Sequence, residues 1–142
     1  MIDFFRAIFF GQTLLLTPMP VDIQSNYDLI LSAPISAVTE GAYIGIDIAS
    51  GYPSKSDVFG ALEAAKKEFP KGCVVAELSQ SRGNRTLHML YSGGFIGTKD
   101  GLRLMIEAAA NSPIDVKFDK LHVTSCKVIA KARIYWKNTH DL

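Results

Sequence analysis

Three histidines and two cysteines are the side chains of this 142-residue chain best suited to hold a metal ion. They are His88, His122, His140, Cys73 and Cys126. A zinc site needs three or four converging ligands, and no two of these histidines have the close spacing that would hold a metal on one element. The cysteines form no C-x-x-C pair, and free cysteines are commonly buried as small apolar side chains. We therefore expect no metal, no cofactor and two reduced thiols.

Nucleophilic catalysis would need a base within hydrogen-bond reach of a serine or cysteine. Ser125 and Cys126 lie close to His122 in the sequence, but closeness in sequence does not bring the side chains together. The chain has no G-x-S-x-G motif, and its carboxylates are scattered rather than paired. We predict no catalytic residues.

A glycine-rich segment at residues 93–97, GGFIG, invites comparison with phosphate-binding loops. It fits neither G-x-x-x-x-G-K-[ST] nor G-x-G-x-x-G. A flexible connection between a strand and a helix is the simpler interpretation, since isolated glycine patterns are weak signals.

The clearest candidate binding surface is basic. The chain carries 15 Lys+Arg against 14 Asp+Glu, so its net charge of +1 does not indicate a class of partner. Several of the basic residues, however, cluster near the C-terminus. A basic surface with an aromatic residue can bind nucleic acid or an acidic protein, although lysine on a strand can also simply block edge pairing. The predicted partner-binding residues are Lys127, Lys131, Arg133, Tyr135 and Lys137 on one strand face, with Arg82 and Arg85 from a turn at its margin.

Two segments have the apolar spacing of helices that could support this surface. The first follows Pro53, repeats apolar residues from Val58 to Phe69, and ends at Pro70. The second begins at the predicted N-cap Thr98. Its apolar stripe consists of Leu102, Met105, Ile106 and Ala109.

The remaining ordered segments have the composition of strands. They are residues 27–32, 42–49, 73–79, 86–92, 116–118 with 121–124, and 127–136. The segments at 73–79 and 86–92 predict a hairpin, because a Gly-Asn turn signal separates them. In the last strand, alternation predicts that one set of residues faces the helices: Val128, Ala130, Ala132, Ile134 and Trp136.

The order of these elements predicts an α+β fold in a single domain, residues 1–142. From residue 42 onward it reads strand, helix, strand, strand, helix, strand, strand, which resembles a ferredoxin-like split βαβ core. We expect an antiparallel or mixed sheet with two helices on one face at residues 41–137, and an N-terminal extension at residues 1–40.

The segment at residues 1–16 is the most hydrophobic part of the chain. It is shorter than the roughly 20 apolar residues of a membrane span and lacks the positive start of a signal peptide. We expect a packed element of a cytoplasmic protein, with a membrane-surface helix or a cleaved signal as alternatives.

Function is argued mainly from the absence of catalytic groupings. The favoured prediction is a non-catalytic protein-binding module, for example a toxin-neutralising immunity protein of a bacterial toxin system. The alternatives are a nucleic-acid-binding domain that uses the basic strand, and an enzyme whose site is assembled from separated residues. The absence of an RNP1 pattern and of a helix-turn-helix signal weakens the nucleic-acid alternative.

Overall fold

Strands dominate the part of the chain that the structure describes. This computed structural model describes residues 13–37, 42–48, 58–80, 86–98, 101–108 and 116–137. The elements are β1 (Thr13–Leu15), β2 (Val21–Ile23), β3 (Asn26–Ala37), β4 (Tyr43–Ile48), α1 (Val58–Glu68), β5 (Val74–Ser79), β6 (Thr86–Thr98), β7 (Gly101–Ala108), β8 (Val116–Ser125) and β9 (Ile129–Lys137).

Eight of these strands form one sheet in the order β1-β9-β4-β7-β6-β5-β8-β3, and β2 forms a short pairing of its own with β9. All of these pairings are antiparallel. The N-terminal strands supply both ends of this order. Strand β2 pairs with β9, and strand β3 pairs with β8. Only Gln24 and Ser25 separate β2 from β3 in the chain, and the Ser125 amide donates a hydrogen bond to the Ser25 carbonyl. The sheet therefore curves until one stretch of chain meets both of its ends.

The hydrophobic core lies on the inner face of this curved sheet. Strands β2, β3, β4, β5, β7, β8 and β9 each contribute at least one fully buried apolar side chain. Trp136 is the largest of them, and its ring packs edge-on against Phe118 with 5.0 Å between centroids. The alternation of buried and exposed residues along β5 is typical of a sheet with one covered face.

The prediction of an α+β fold with two helices on a sheet face is wrong, because the second predicted helix is strand β7. Leu102, Leu104 and Ile106 point into the core with a period of two, while Met105 lies between them on the outer face. An apolar residue on that outer face produced the helical spacing.

Gly101 begins strand β7 with φ of 153°, and a Cβ there would lie 2.9 Å from the Ile48 carbonyl oxygen.

The segment at residues 93–97 is not a connection to a helix, because it belongs to β6. The register with β7 shifts between Tyr91 and Gly94, so that two extra residues stand in β6 opposite a continuous run of β7. The glycines mark an irregularity in a strand, which is a common place for them.

The first predicted helix is confirmed as α1. Ala61 and Ala65 are buried against Leu102, with Leu62 and Phe95 at the margin of this small cluster. Phe69 follows the helix and joins the main core. The helix therefore packs on β6 and β7.

Other strand predictions are confirmed. Strands β3 and β8 cover the predicted segments, β4 and β5 lie within theirs, and β9 begins two residues after the predicted start at residue 127. Strands β5 and β6 form the predicted hairpin. Its turn, the C-terminal end of the second predicted helix, His140 and residues 1–12 lie outside the described residues.

The expectation of two reduced thiols is wrong, because Cys73 and Cys126 form a disulfide. Cys73 precedes β5 and Cys126 follows β8, and the adjoining residues Val74 and Ser125 face each other in the ladder. The Cys126 amide also donates to the Cys73 carbonyl. Pairing of the two strands places the cysteines together, which their distance in sequence did not suggest.

Within the described ranges, no helix has the length and apolar character needed to cross a membrane.

Candidate functional site

Three neighbouring strands, β9, β4 and β7, place polar and aromatic side chains on the outer face of the sheet. We call this surface the β9–β4–β7 face. The ladders align its residues in three rows across the strands. The rows are Arg133–Asp47–Arg103, Tyr135–Gly45–Met105 and Lys137–Tyr43–Glu107.

A bidentate ion pair between Arg103 and Asp47 lies near the middle of the β9–β4–β7 face. Arg103 donates from Nε to Asp47 Oδ1 at 2.6 Å and from Nη2 to Oδ2 at 3.1 Å. Both side chains are mostly buried. Partial burial disfavours the charged form of Arg103, but the hydrogen bond to Asp47 and its charge, with help from Tyr43, raise the pKa of Arg103 above its ordinary value. The guanidinium is therefore a fixed, permanently charged group.

The same guanidinium covers an aromatic ring. Arg103 Cζ lies 4.1 Å from the centroid of the Tyr135 ring, which is the geometry of a cation–π contact. Gly45 stands between Tyr135 and Met105 in the next row, and a Cβ on Gly45 would come within 2.6 Å of Arg103 Cδ. The absence of a side chain at Gly45 lets Arg103 cross strand β4 and reach Tyr135.

The edges of the face combine positive charge with exposed apolar groups. Arg133 and Lys137 form no ion pair with any described residue. Leu15 stands opposite Tyr135 on β1 with 39% of its surface exposed, and Ile96 stands opposite Arg103 on β6 with 37% exposed. The face therefore has a fixed Arg–Tyr centre and an apolar and cationic border.

Only part of the predicted basic surface lies on this face. Arg133, Tyr135 and Lys137 lie there together, whereas Lys127 belongs to the bend before β9. Lys131 is exposed at an irregularity of the strand. Arg82 and Arg85 lie outside the described residues.

The irregularity at Lys131 explains why the predicted alternation of β9 fails at its start. Val21 pairs with Ala132 and Ile23 with Ile129, so two residues of β9 stand opposite Asp22 alone. Lys131 has φ of 53°, and its amide donates to Asp22 Oδ1 at 2.9 Å. This β-bulge reverses the alternation. Ala132, Ile134 and Trp136 are buried as predicted, but Val128 and Ala130 are exposed and Ile129 is buried in their place.

The serine, cysteine and histidine near residue 125 do not form a catalytic group. His122 is partly exposed and its Nδ1 lies 2.7 Å from Asp28 Oδ1, whereas Ser125 is buried and donates to the Lys127 carbonyl. Cys126 is bonded to Cys73 in the disulfide, so it has no free thiol that could act as a nucleophile. Among the described residues, no group of three or more His, Cys, Asp or Glu side chains has an arrangement suited to a metal ion.

Sequence reasoning missed the two residues at the centre of the site, Asp47 and Arg103. Arg103 was assigned to a helix, so its position beside β4 was hidden. One signal was present: Gly45 interrupts the β-rich run of β4, and glycine in a strand often marks a close approach by another group.

Comparison with known proteins adds no family to this geometry: no family model, no curated protein and no solved structure matches the chain.

Proposed function

We propose that this chain is a non-catalytic protein-binding module and that the β9–β4–β7 face is its contact surface. The observation that carries the proposal is the Arg103–Tyr135 contact, fixed by Asp47. Arginine and tyrosine supply much of the energy at protein interfaces. Here both are held in place before a partner arrives, so less side-chain freedom is lost on binding.

The border of the face favours an acidic protein partner. Arg133 and Lys137 offer positive charge that no described residue neutralises. Leu15 and Ile96 offer apolar surface on either side. Unpaired charges at an interface border mainly steer association, and apolar contacts near them exclude water.

Nucleic acid is the less favoured partner for this face. Stacking of a base needs an open aromatic ring, and Arg103 occupies one side of Tyr135. The carboxylate of Asp47 also lies within the surface that a phosphate backbone would have to cross.

The disulfide bears on the compartment in which binding occurs. Disulfides persist mainly in oxidising compartments, so the Cys73–Cys126 bridge favours such a compartment over the cytoplasm expected from the sequence. Alkylation of thiols in intact cells, followed by mass measurement of the protein, distinguishes the two. An immunity protein that binds a toxin would be one form of the proposed module.

The test uses a charge-reversal variant with a matched control. The protein first captures its partner from a lysate, with and without nuclease, and the recovered partner is then titrated. We expect Arg133→Glu/Lys137→Glu to weaken binding at least about tenfold, with a reduced dependence of association on salt. Lys66→Glu/Lys67→Glu changes the same charge on exposed α1 and should bind as the wild type does.

Two outcomes contradict the proposal. If the β9 variant binds the recovered partner as tightly as the wild type, the contact surface lies elsewhere. If capture is lost on nuclease treatment and affinity falls steeply with salt, the partner is a nucleic acid.

A further inference from the structure

The sheet ends at strand β1 on one side and at strand β3 on the other, and β3 is the longer of these two edge strands. One side of β3 is not paired with another described strand. The strand runs from Asn26 to Ala37 and pairs with β8 on one side. Among the residues that the structure describes, no strand pairs along its other side. An open strand offers backbone N–H and C=O groups to any extended segment that can align with it.

The side chains along this open strand are unusually apolar for an edge. Tyr27, Leu29 and Leu31 face inward, and each is only partly covered by the core. Ile30 faces outward with 73% of its surface exposed, more than any other large apolar side chain among those described. Both faces of the open strand therefore gain from being covered.

The opposite end of the sheet is protected in ways that the first half of β3 is not. There, β1 and β2 have three residues each and are separated by a segment that contains Pro18 and Pro20. Short strands, prolines and bulges are the usual means of preventing edge pairing. Residues 27–33 contain no proline. The register of β3 with β8 shifts between Ile30 and Ile35, but partly buried and exposed side chains keep alternating along residues 27–34, as in an extended strand.

The one charged side chain in this stretch is engaged within its own sheet. Asp28 Oδ1 lies 2.7 Å from Nδ1 of His122, its neighbour on β8. The carboxylate is therefore directed across the sheet toward β8, where it does not obstruct the open side.

We propose that the open side of β3 pairs with β3 of a second copy of this chain, antiparallel and with a twofold axis at Ile30. The sequence around Ile30 is self-complementary in that register. Each Leu29 would stand opposite Leu31 of the second copy, and the two Ile30 residues would stand opposite each other. Asp28 would meet Ser32, so no like charges face each other. A twofold interface requires such self-complementarity.

The pairing involves about seven residues per chain, a small interface compared with the roughly 1,600 Å² of a standard complex. We therefore expect a dimer that dissociates on dilution. This inference is independent of the proposed function, since β3 contributes no residue to the β9–β4–β7 face.

Sedimentation of the full chain over about three decades of concentration tests the proposal. The wild type should pass from one chain to two as concentration rises. Ile30→Lys places two positive charges opposite each other and should sediment as a monomer throughout. Val128→Lys makes the same change at another exposed apolar residue, in the segment just before β9, and should dimerise as the wild type does.

A second variant keeps the proposal testable if Ile30→Lys fails to fold. In Ile30→Cys, the new thiols would face each other across the axis, and mild oxidation should give a covalent dimer, whereas Val128→Cys should stay largely monomeric. A wild type that is monomeric at every concentration overturns the proposal. Equal effects of the Ile30 and Val128 variants overturn it as well.

Discussion

Gly45 is the residue at which one added carbon would change the candidate site most. A Cβ there would overlap Arg103 Cδ, and the flexible arginine would have to move away from Asp47 and Tyr135. We expect Gly45→Ala to lower the free energy of unfolding by about 1.5–3 kcal/mol, the scale of a lost hydrogen bond between charged groups. Urea denaturation measures this change.

The control for that prediction is the same substitution in a chain that lacks the arginine. In an Arg103→Ala background, Gly45→Ala meets no obstacle from that side chain and should cost little. An equal cost in both backgrounds would show that the overlap with Arg103 is not the cause. Non-additivity of this kind is the direct measure of coupling between two residues.

Lys131 has a backbone conformation that favours glycine. Its φ of 53° brings the Cβ too close to the neighbouring carbonyl, which costs about 1–2 kcal/mol for residues other than glycine. We expect Lys131→Gly to raise the free energy of unfolding by about 0.5–1 kcal/mol after the loss of backbone entropy. Lys131→Ala keeps the Cβ and serves as the control, since its stability should match the wild type. A less stable glycine variant would contradict the assignment of strain.

At the scale of the element, the bulge in β9 gives different costs of truncation to two apolar residues that were predicted to share one face. Ile134 is fully buried, so Ile134→Ala should lower stability by about 2–5 kcal/mol. Val128 is 63% exposed, and Val128→Ala should change stability by less than about 0.5 kcal/mol. Thermal denaturation of both variants measures the difference. Similar losses at the two positions would place the bulge elsewhere in the strand.

Elements with one dominant periodicity were predictable from the sequence. The helix α1 has a single apolar stripe between clear end signals, and β5 with β6 has alternation on both sides of a turn signal. Strand β7 was not predictable in this way, since Met105 on its outer face adds an apolar residue that fits a helical spacing as well as the period of two. Which spacing is realised depends on the neighbouring strands β4 and β6, which the local sequence does not contain.

The candidate site was predictable only where it follows from β9 itself. Arg133, Tyr135 and Lys137 share a face because the strand alternates regularly after the bulge. The contribution of Asp47 and Arg103 depends on the pairing of β4 with both β7 and β9, a long-range feature. Lys131 was misassigned because an extra residue in a strand cannot be recognised from the sequence pattern alone. It is seen only when the register with the partner strand is known.

At the scale of the whole molecule, the disulfide joins residues 53 positions apart and so restricts the unfolded chain. The chain-entropy estimate for a loop of this length is about 4 kcal/mol. We expect reduction with dithiothreitol to lower the free energy of unfolding by an amount approaching that value. A Cys73→Ala/Cys126→Ala variant should have this lower stability with or without reductant. Identical denaturation curves for oxidised and reduced wild type would exclude a stabilising bridge.

The disulfide also determines how far the molecule can be stretched. Force applied to the two ends of the chain passes through the Cys73–Cys126 bond and bypasses the 53-residue segment that contains β5 to β8. Because an extended residue spans about 3.3–3.6 Å, that segment would withhold about 180 Å of extension until the bond is reduced. A single molecule pulled in an optical trap should therefore lengthen by that additional amount when a reducing agent is introduced, and strands β6 and β7 would bear tension only from that moment.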